Sequence, residues 1–169
     1  MKNEEVRDII QQAVEAGRIA GAREPKNILR ATERRLRALP ILRERILQNN
    51  EHLAEIRQYG PGSKDKSIVR FQRTGVRLSP EEIIEALIID MQATIAADEH
   101  EVTIMEGVIA RAEHDPYFRV VSMRYFDGKT DAEIAEAIPC DATTVWRNRT
   151  RILDNITVWL YGAAALYAK

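Results

Sequence analysis

The sequence predicts an all-α protein, with a helical hairpin or coiled-coil N-terminal part over residues 1–115 and a C-terminal three-helix helix-turn-helix domain over residues 116–169. Three observations carry this expectation. Apolar residues recur at steps of three and four along most of the chain, the spacing of one helix face. Ser79-Pro80-Glu81-Glu82 and Thr130-x-x-Glu133 are helix-start signatures, with a hydroxyl cap and a Glu three residues on. The run GKTDAEIAEAIPCDATTVWRNRTRI, from Gly128 to Ile152, reads as two short helices about a turn.

Taken in order, Asn3 to about Arg18 reads as an amphipathic helix with Val6, Ile9, Ile10 and Val14 on one side. Gly21 and Pro25 bracket a break. A helix from about Lys26 to Leu39 follows, with Ile28, Leu29, Leu36 and Leu39 as its apolar face, and Pro40 is expected to kink or restart it. The next helix runs to about Tyr59 and stops at Gly60-Pro61-Gly62. Residues 60–78 form a basic connector. Lys64, Lys66, Arg70 and Arg73 in it are candidate phosphate-binding residues, set against the plain alternative of a solvated loop.

From Ser79 a long helix is expected to reach Ala112. Its apolar residues, Ile84, Ile88, Met91, Ile95, Val102, Met105, Ile109 and Ala112, step alternately by four and three, with Asp98 in the register. At ~1.5 Å per residue such a helix would span about 50 Å. Leu39, Leu42, Ile46, Asn49, Leu53 and Ile56 offer a matching seam upstream. An antiparallel hairpin within one chain and an intermolecular coiled coil both satisfy this pattern. Self-association, most simply as a homodimer, is expected in either case.

After Asp115-Pro116, a helix from about Tyr117 to Tyr125 presents Val120, Val121 and Met123. Gly128 ends it, and Thr130 with Glu133 caps the next, whose apolar face is Ile134, Ala135 and Ile138. Pro139-Cys140-Asp141 stops that helix, and Asp141 caps the last, where Val145, Ile152 and Ile156 share a face. At 100° per residue, Thr143, Arg147, Thr150 and Asp154 lie opposite, with Thr144, Trp146 and Arg151 on the flanks. Arg can pair bidentately with guanine or hold a phosphate, and Thr can bond a base edge or touch a thymine methyl. Arg149 falls near the inward face, and its head is expected to snorkel to water.

The composition bounds the remaining possibilities. At 45% hydrophobic and 30% charged residues, a chain of 169 is globular. The single cysteine, Cys140, excludes an internal disulfide framework and is read as a packing residue. No apolar run reaches membrane length and the N-terminus is not a signal peptide, so no membrane partner and a cytoplasmic location are expected. The net charge of −1 hides segregation: basic residues gather in 23–77 and acidic ones in 78–115. His52, His100 and His114 have no metal-ligand spacing, and no phosphate loop, dinucleotide fingerprint or nucleophile elbow occurs. Neither catalysis, nor a metal, nor a cofactor is expected.

The C-terminal segment resembles region four of bacterial sigma factors in Gly128, Glu133-Ile134-Ala135-Glu136, Thr144-Val145 and Arg151. It departs at Pro139, where Gly is common, and at Arg149, where an apolar residue is usual. Over roughly Ile28 to Leu160 the chain is similar to the ArpU family of phage-encoded transcriptional regulators. That similarity rests on Ala31-Thr32-Glu33, Lys66-Ser67-Ile68-Val69-Arg70-Phe71, Gly75-Val76-Arg77-Leu78-Ser79-Pro80-Glu81-Glu82, Asp115-Pro116-Tyr117-Phe118 and Tyr125-Phe126-Asp127-Gly128-Lys129-Thr130. The resemblance implies a sequence-specific DNA-binding regulator of late phage genes, acting on double-stranded DNA beside RNA polymerase. Phosphate contacts are expected from Arg124, Lys129, Thr130 and Arg151, and base contacts from Thr143, Thr144, Arg147 and Thr150, with Trp146, on the flank, a further DNA-binding residue. The alternative is a small terminase-type DNA-packaging protein, which a ring of about eight or more subunits would favour.

Overall fold

A computed structural model describes residues 27–62 and 79–167, and every regular element in them is a helix. In chain order these are α1 (Ile28–Tyr59), α2 (Pro80–Ala112), α3 (Phe118–Tyr125), α4 (Asp131–Ala137), α5 (Ala142–Tyr161) and α6 (Ala164–Tyr167). The expected helix near the N-terminus and the connector residues Lys64, Lys66, Arg70 and Arg73 lie outside the described residues. None of the described helices is long and apolar enough to cross a membrane.

Local chemistry sets the helix ends. Asn27 caps α1, its side-chain oxygen accepting the Arg30 N–H at 2.8 Å. Gly60, at φ +80°, closes the other end with its N–H on the Ile56 carbonyl at 2.9 Å. α2 opens with a reciprocal capping box. The Ser79 hydroxyl accepts the Glu82 N–H at 3.2 Å, and Glu82 accepts the Ser79 N–H at 2.7 Å.

Of the two outcomes expected at Pro40, a kink or a restart, the restart does not occur: α1 runs through it as one helix. An internal Pro removes one N–H donor and crowds the carbonyl one turn back, a local cost of roughly 3 kcal/mol. Pro40 sits on the exposed side of α1, while Leu36 and Leu39 just before it are buried. Packing on the opposite face therefore holds the helix together across the defect.

The chain divides into two compact units. Among the described residues, the first comprises 43–62 and 79–100. It buries Leu53 and Ile56 of α1 with Leu87 and Ile95 of α2. Of the expected seam, Ile46, Asn49, Ile84, Ile88 and Met91 are only half-buried. Asp98 is buried in this unit, with Arg45 of α1 at 3.1 Å. Burial pushes its carboxyl above the ordinary range, and the Arg45 charge partly offsets that.

The second unit comprises 27–42 and 101–167, so the first turns of α1 and the end of α2 belong with α3, α4, α5 and α6, and residue 115 lies inside it. Ile28, Thr32, Leu36 and Leu39 form the buried face of α1 here. Leu29, expected on that face, is exposed instead, because steps of four, four and three from Ile28 pass it by. Thr32 takes the inward place. Its hydroxyl donates to the Ile28 carbonyl at 3.0 Å and accepts from the Thr157 hydroxyl of α5, also at 3.0 Å. Arg35 of α1 makes a two-pronged ion pair with Glu101 of α2 at 2.6 and 3.0 Å.

Candidate nucleic-acid interface

α3, α4 and α5 contact one another pairwise. Val120, Met123, Ile134 and Val145 form their shared core, with Ala135, Ile138 and Cys140 packed at its edge. Burying a side chain of this kind stabilises by about 1.5–3 kcal/mol. The core fixes the angle between α4 and α5, and hence the direction in which the opposite face of α5 looks.

The loop before α4 is built for a sharp turn. Gly128 takes φ +69°, where a side chain would be strained. The Lys129 N–H reaches the Met123 carbonyl at 3.0 Å. Thr130 and Glu133 then form the capping box, with the Thr130 N–H donating to Glu133 at 2.7 Å and the Glu133 N–H to the Thr130 hydroxyl at 3.3 Å. Those bonds hold the Glu133 carboxyl below its ordinary range.

Ile138 to Asp141 make the turn between α4 and α5. Asp141 caps α5 by accepting the Thr144 N–H at 2.8 Å and the Thr144 hydroxyl at 2.9 Å. Its carboxyl is lowered by the same backbone bond first and the hydroxyl second. Val145, Ile152, Leu153, Ile156 and Thr157 are the buried positions of α5.

The candidate contact residues divide into two groups. Thr143, Trp146 and Arg147 are exposed on the first turns of α5, and Thr150 is half-buried beside them. Thr130 is exposed and Lys129 half-buried at the start of α4. Thr143, Arg147 and Thr150 share one face of α5 by helical phase, with Trp146 on its flank. The Thr144 hydroxyl, by contrast, is already engaged on Asp141.

Arg124 and Arg151 have partners inside the protein. Arg124 donates to the Lys129 carbonyl at 2.9 Å, holding the loop before α4. Arg151 grips Asp115 at 2.6 and 3.0 Å and also donates to the Asn148 side chain at 3.2 Å. Asp115 in turn accepts the Tyr117 N–H at 2.9 Å, so this pair ties α5 to the junction between α2 and α3. The Arg151 hydrogen bonds lower the Asp115 carboxyl, and the same bonds raise the Arg151 guanidinium.

Arg149 does not snorkel to water. Its guanidinium lies 3.0 Å from Asp131, 3.4 Å from the Tyr125 hydroxyl and 3.8 Å from Glu33 of α1. Tyr125 also donates to Glu33 at 2.8 Å. Burial alone would lower the Arg149 pKa, but the bonds to Tyr125 and Asp131 outweigh it and raise it. Sequence reading missed Glu33, Asp115, Thr32 and Thr157 as partners. A signal existed for Glu33 and Asp131 only in the oddity itself: a cation on an apolar face needs an anion.

Among the described residues, no group of three His, Cys, Asp or Glu side chains is placed to hold a metal ion. Comparison with protein-family models, with curated proteins and with solved structures found no match.

Proposed function

We propose that the chain is a sequence-specific DNA-binding transcription regulator, with α3, α4 and α5 acting as a helix-turn-helix unit and α5 entering the major groove. The observation that carries this reading is the outward face of α5. A side-chain cap and a four-residue turn fix the helix start, and Thr143 and Arg147 stand exposed opposite the buried Val145 and Ile152, with Trp146 exposed on the flank. Helices of this kind meet base edges with their N-terminal residues. Thr143, Arg147 and Thr150 take base contacts in this reading. Lys129 and the start of α4 take phosphates, and Arg124 and Arg151 hold the unit in shape.

The paired α1 and α2 act as the self-associating part, an antiparallel hairpin joined by ion pairs such as Arg45 with Asp98. Action on late phage genes beside RNA polymerase follows from the resemblance to the ArpU family and belongs to the same proposal. The test is fluorescence anisotropy of the full chain with a random duplex and with duplexes recovered from a random library. Binding should fall steeply with salt, and the recovered duplexes should bind at least tenfold more tightly than the random one. Equal affinity for both would remove sequence-specific regulation as the function.

A further inference from the structure

The indole of Trp146 is the least expected surface feature of α5. Tryptophan carries a large apolar ring that folding normally covers for the most part. Trp146 is 53% exposed, while Val145 beside it is fully buried. Among the described residues no hydrogen bond or cation–π contact engages its ring. The other tryptophan, Trp159, is exposed too, but the Arg111 guanidinium covers its ring at 4.3 Å.

Helical phase places Trp146 at the edge of the outward polar face, on its flank. Thr143 lies one turn before it and Thr150 one turn after, while Arg147 stands about 100° further round the helix, on the far side of the two threonines. Across this face the order is therefore an indole ring, threonine methyls and a guanidinium. On the base edges of the major groove the apolar group is the thymine 5-methyl, and guanine O6 and N7 suit a guanidinium. An aromatic ring that contacted only phosphate or sugar would gain nothing from being placed among base-reading positions.

Resting on the DNA-binding reading above, we propose that Trp146 determines specificity by packing its ring on a thymine 5-methyl group, beside a guanine read by Arg147. Thymine and uracil differ only by that methyl, so the proposal has a direct test. A duplex recovered from a random library by selection on the full chain is synthesised twice, once with deoxyuridine replacing every thymidine. Affinities of the full chain for both are measured by anisotropy at one salt concentration.

Wild type should bind the uracil duplex about fourfold more weakly per contacted methyl, the equivalent of ~0.8 kcal/mol per buried carbon. Trp146→Ala should lose about fourfold of that difference, the share of one methyl, and Trp146→Leu, which keeps an apolar side chain, should retain part of it. Circular dichroism and the unfolding temperature of both variants should match wild type, since the ring is outside the core. Equal affinity of wild type for the two duplexes overturns the proposal, and so does an undiminished difference in Trp146→Ala. If Trp146→Ala fails to fold, Trp146→Leu carries the comparison, and equal wild-type affinity for the two duplexes still overturns the proposal. Failure to recover any preferred duplex overturns the DNA-binding reading itself. A preferred duplex indifferent to its methyl groups overturns only the role of Trp146.

Discussion

Replacing Arg149 by Met should destabilise the unit containing α3, α4 and α5 while leaving its exposed face intact. The Arg149 side chain is 15% exposed, and its partners Glu33 and Asp131 are 24% and 27% exposed. Breaking a fully buried ion pair costs ~3–5 kcal/mol because one charge is left stranded. Breaking an exposed one costs ~0–1 kcal/mol. The cluster lies between these limits, and it leaves two carboxylates facing each other's field once the cation is gone. A loss of about 2 kcal/mol follows from those two bounds. For a chain of this size that corresponds to a fall of roughly 4–8 °C in unfolding temperature. Circular dichroism melts of the full chain at neutral pH give the measurement. Glu33→Gln combined with Arg149→Met should cost less than the sum of the single changes, by about 0.5–1 kcal/mol, since the second change removes a stranded charge. An unchanged unfolding temperature in Arg149→Met, or strict additivity with Glu33→Gln, would refute the network as a stabilising element. DNA affinity below the transition should match wild type, because the side chain faces the core.

Other outcomes follow from the same geometry. Arg147→Ala should weaken binding to a preferred duplex by ~1–3 kcal/mol if Arg147 reads a guanine, and equal loss on random DNA would assign it to phosphate. Asp115, Glu133 and Asp141 all have carboxyls lowered by their hydrogen bonds in the fold. Their contribution is complete above the ordinary carboxylate range of about 4 and is lost as pH falls through the lower folded values. Melts at stepwise lower pH should show that loss, and Asp141→Asn should show less of it than wild type. Ile95, buried in the first unit, becomes a charge in Ile95→Glu, which should dissociate the assembly or unfold that unit. Sedimentation of wild type should give a dimer; a single-chain mass at micromolar concentration refutes self-association, and a ring of about eight or more turns the reading toward DNA packaging. Changing Lys64, Lys66, Arg70 and Arg73 together to Ala should flatten the salt slope by up to about 3–4 units if the connector grips DNA. An unchanged slope would leave DNA contact to the helices alone.

Sequence by itself determined the elements whose causes are local. The caps at Ser79, Thr130 and Asp141 are bonds to a residue three positions on, and all three form as read. The apolar spacing of Ile134, Val145, Ile152 and Ile156 fixed which sides of α4 and α5 turn inward, and so which side of α5 remains for Thr143, Trp146 and Arg147. What tertiary structure decided are the pairings between positions far apart in the chain. Arg151 meets Asp115 across 36 residues, and Thr157 meets Thr32 across 125. Periodicity reports a side chain's direction but not the neighbour that arrives there. That is why Arg149 read as a snorkelling cation rather than the centre of a polar cluster, and why Arg124 and Arg151 read as free to hold phosphate. It is also why a restart at Pro40 stood open in the sequence. The local cost of proline is visible in sequence, whereas the burial of Leu36 and Leu39 that outweighs it depends on the rest of the fold.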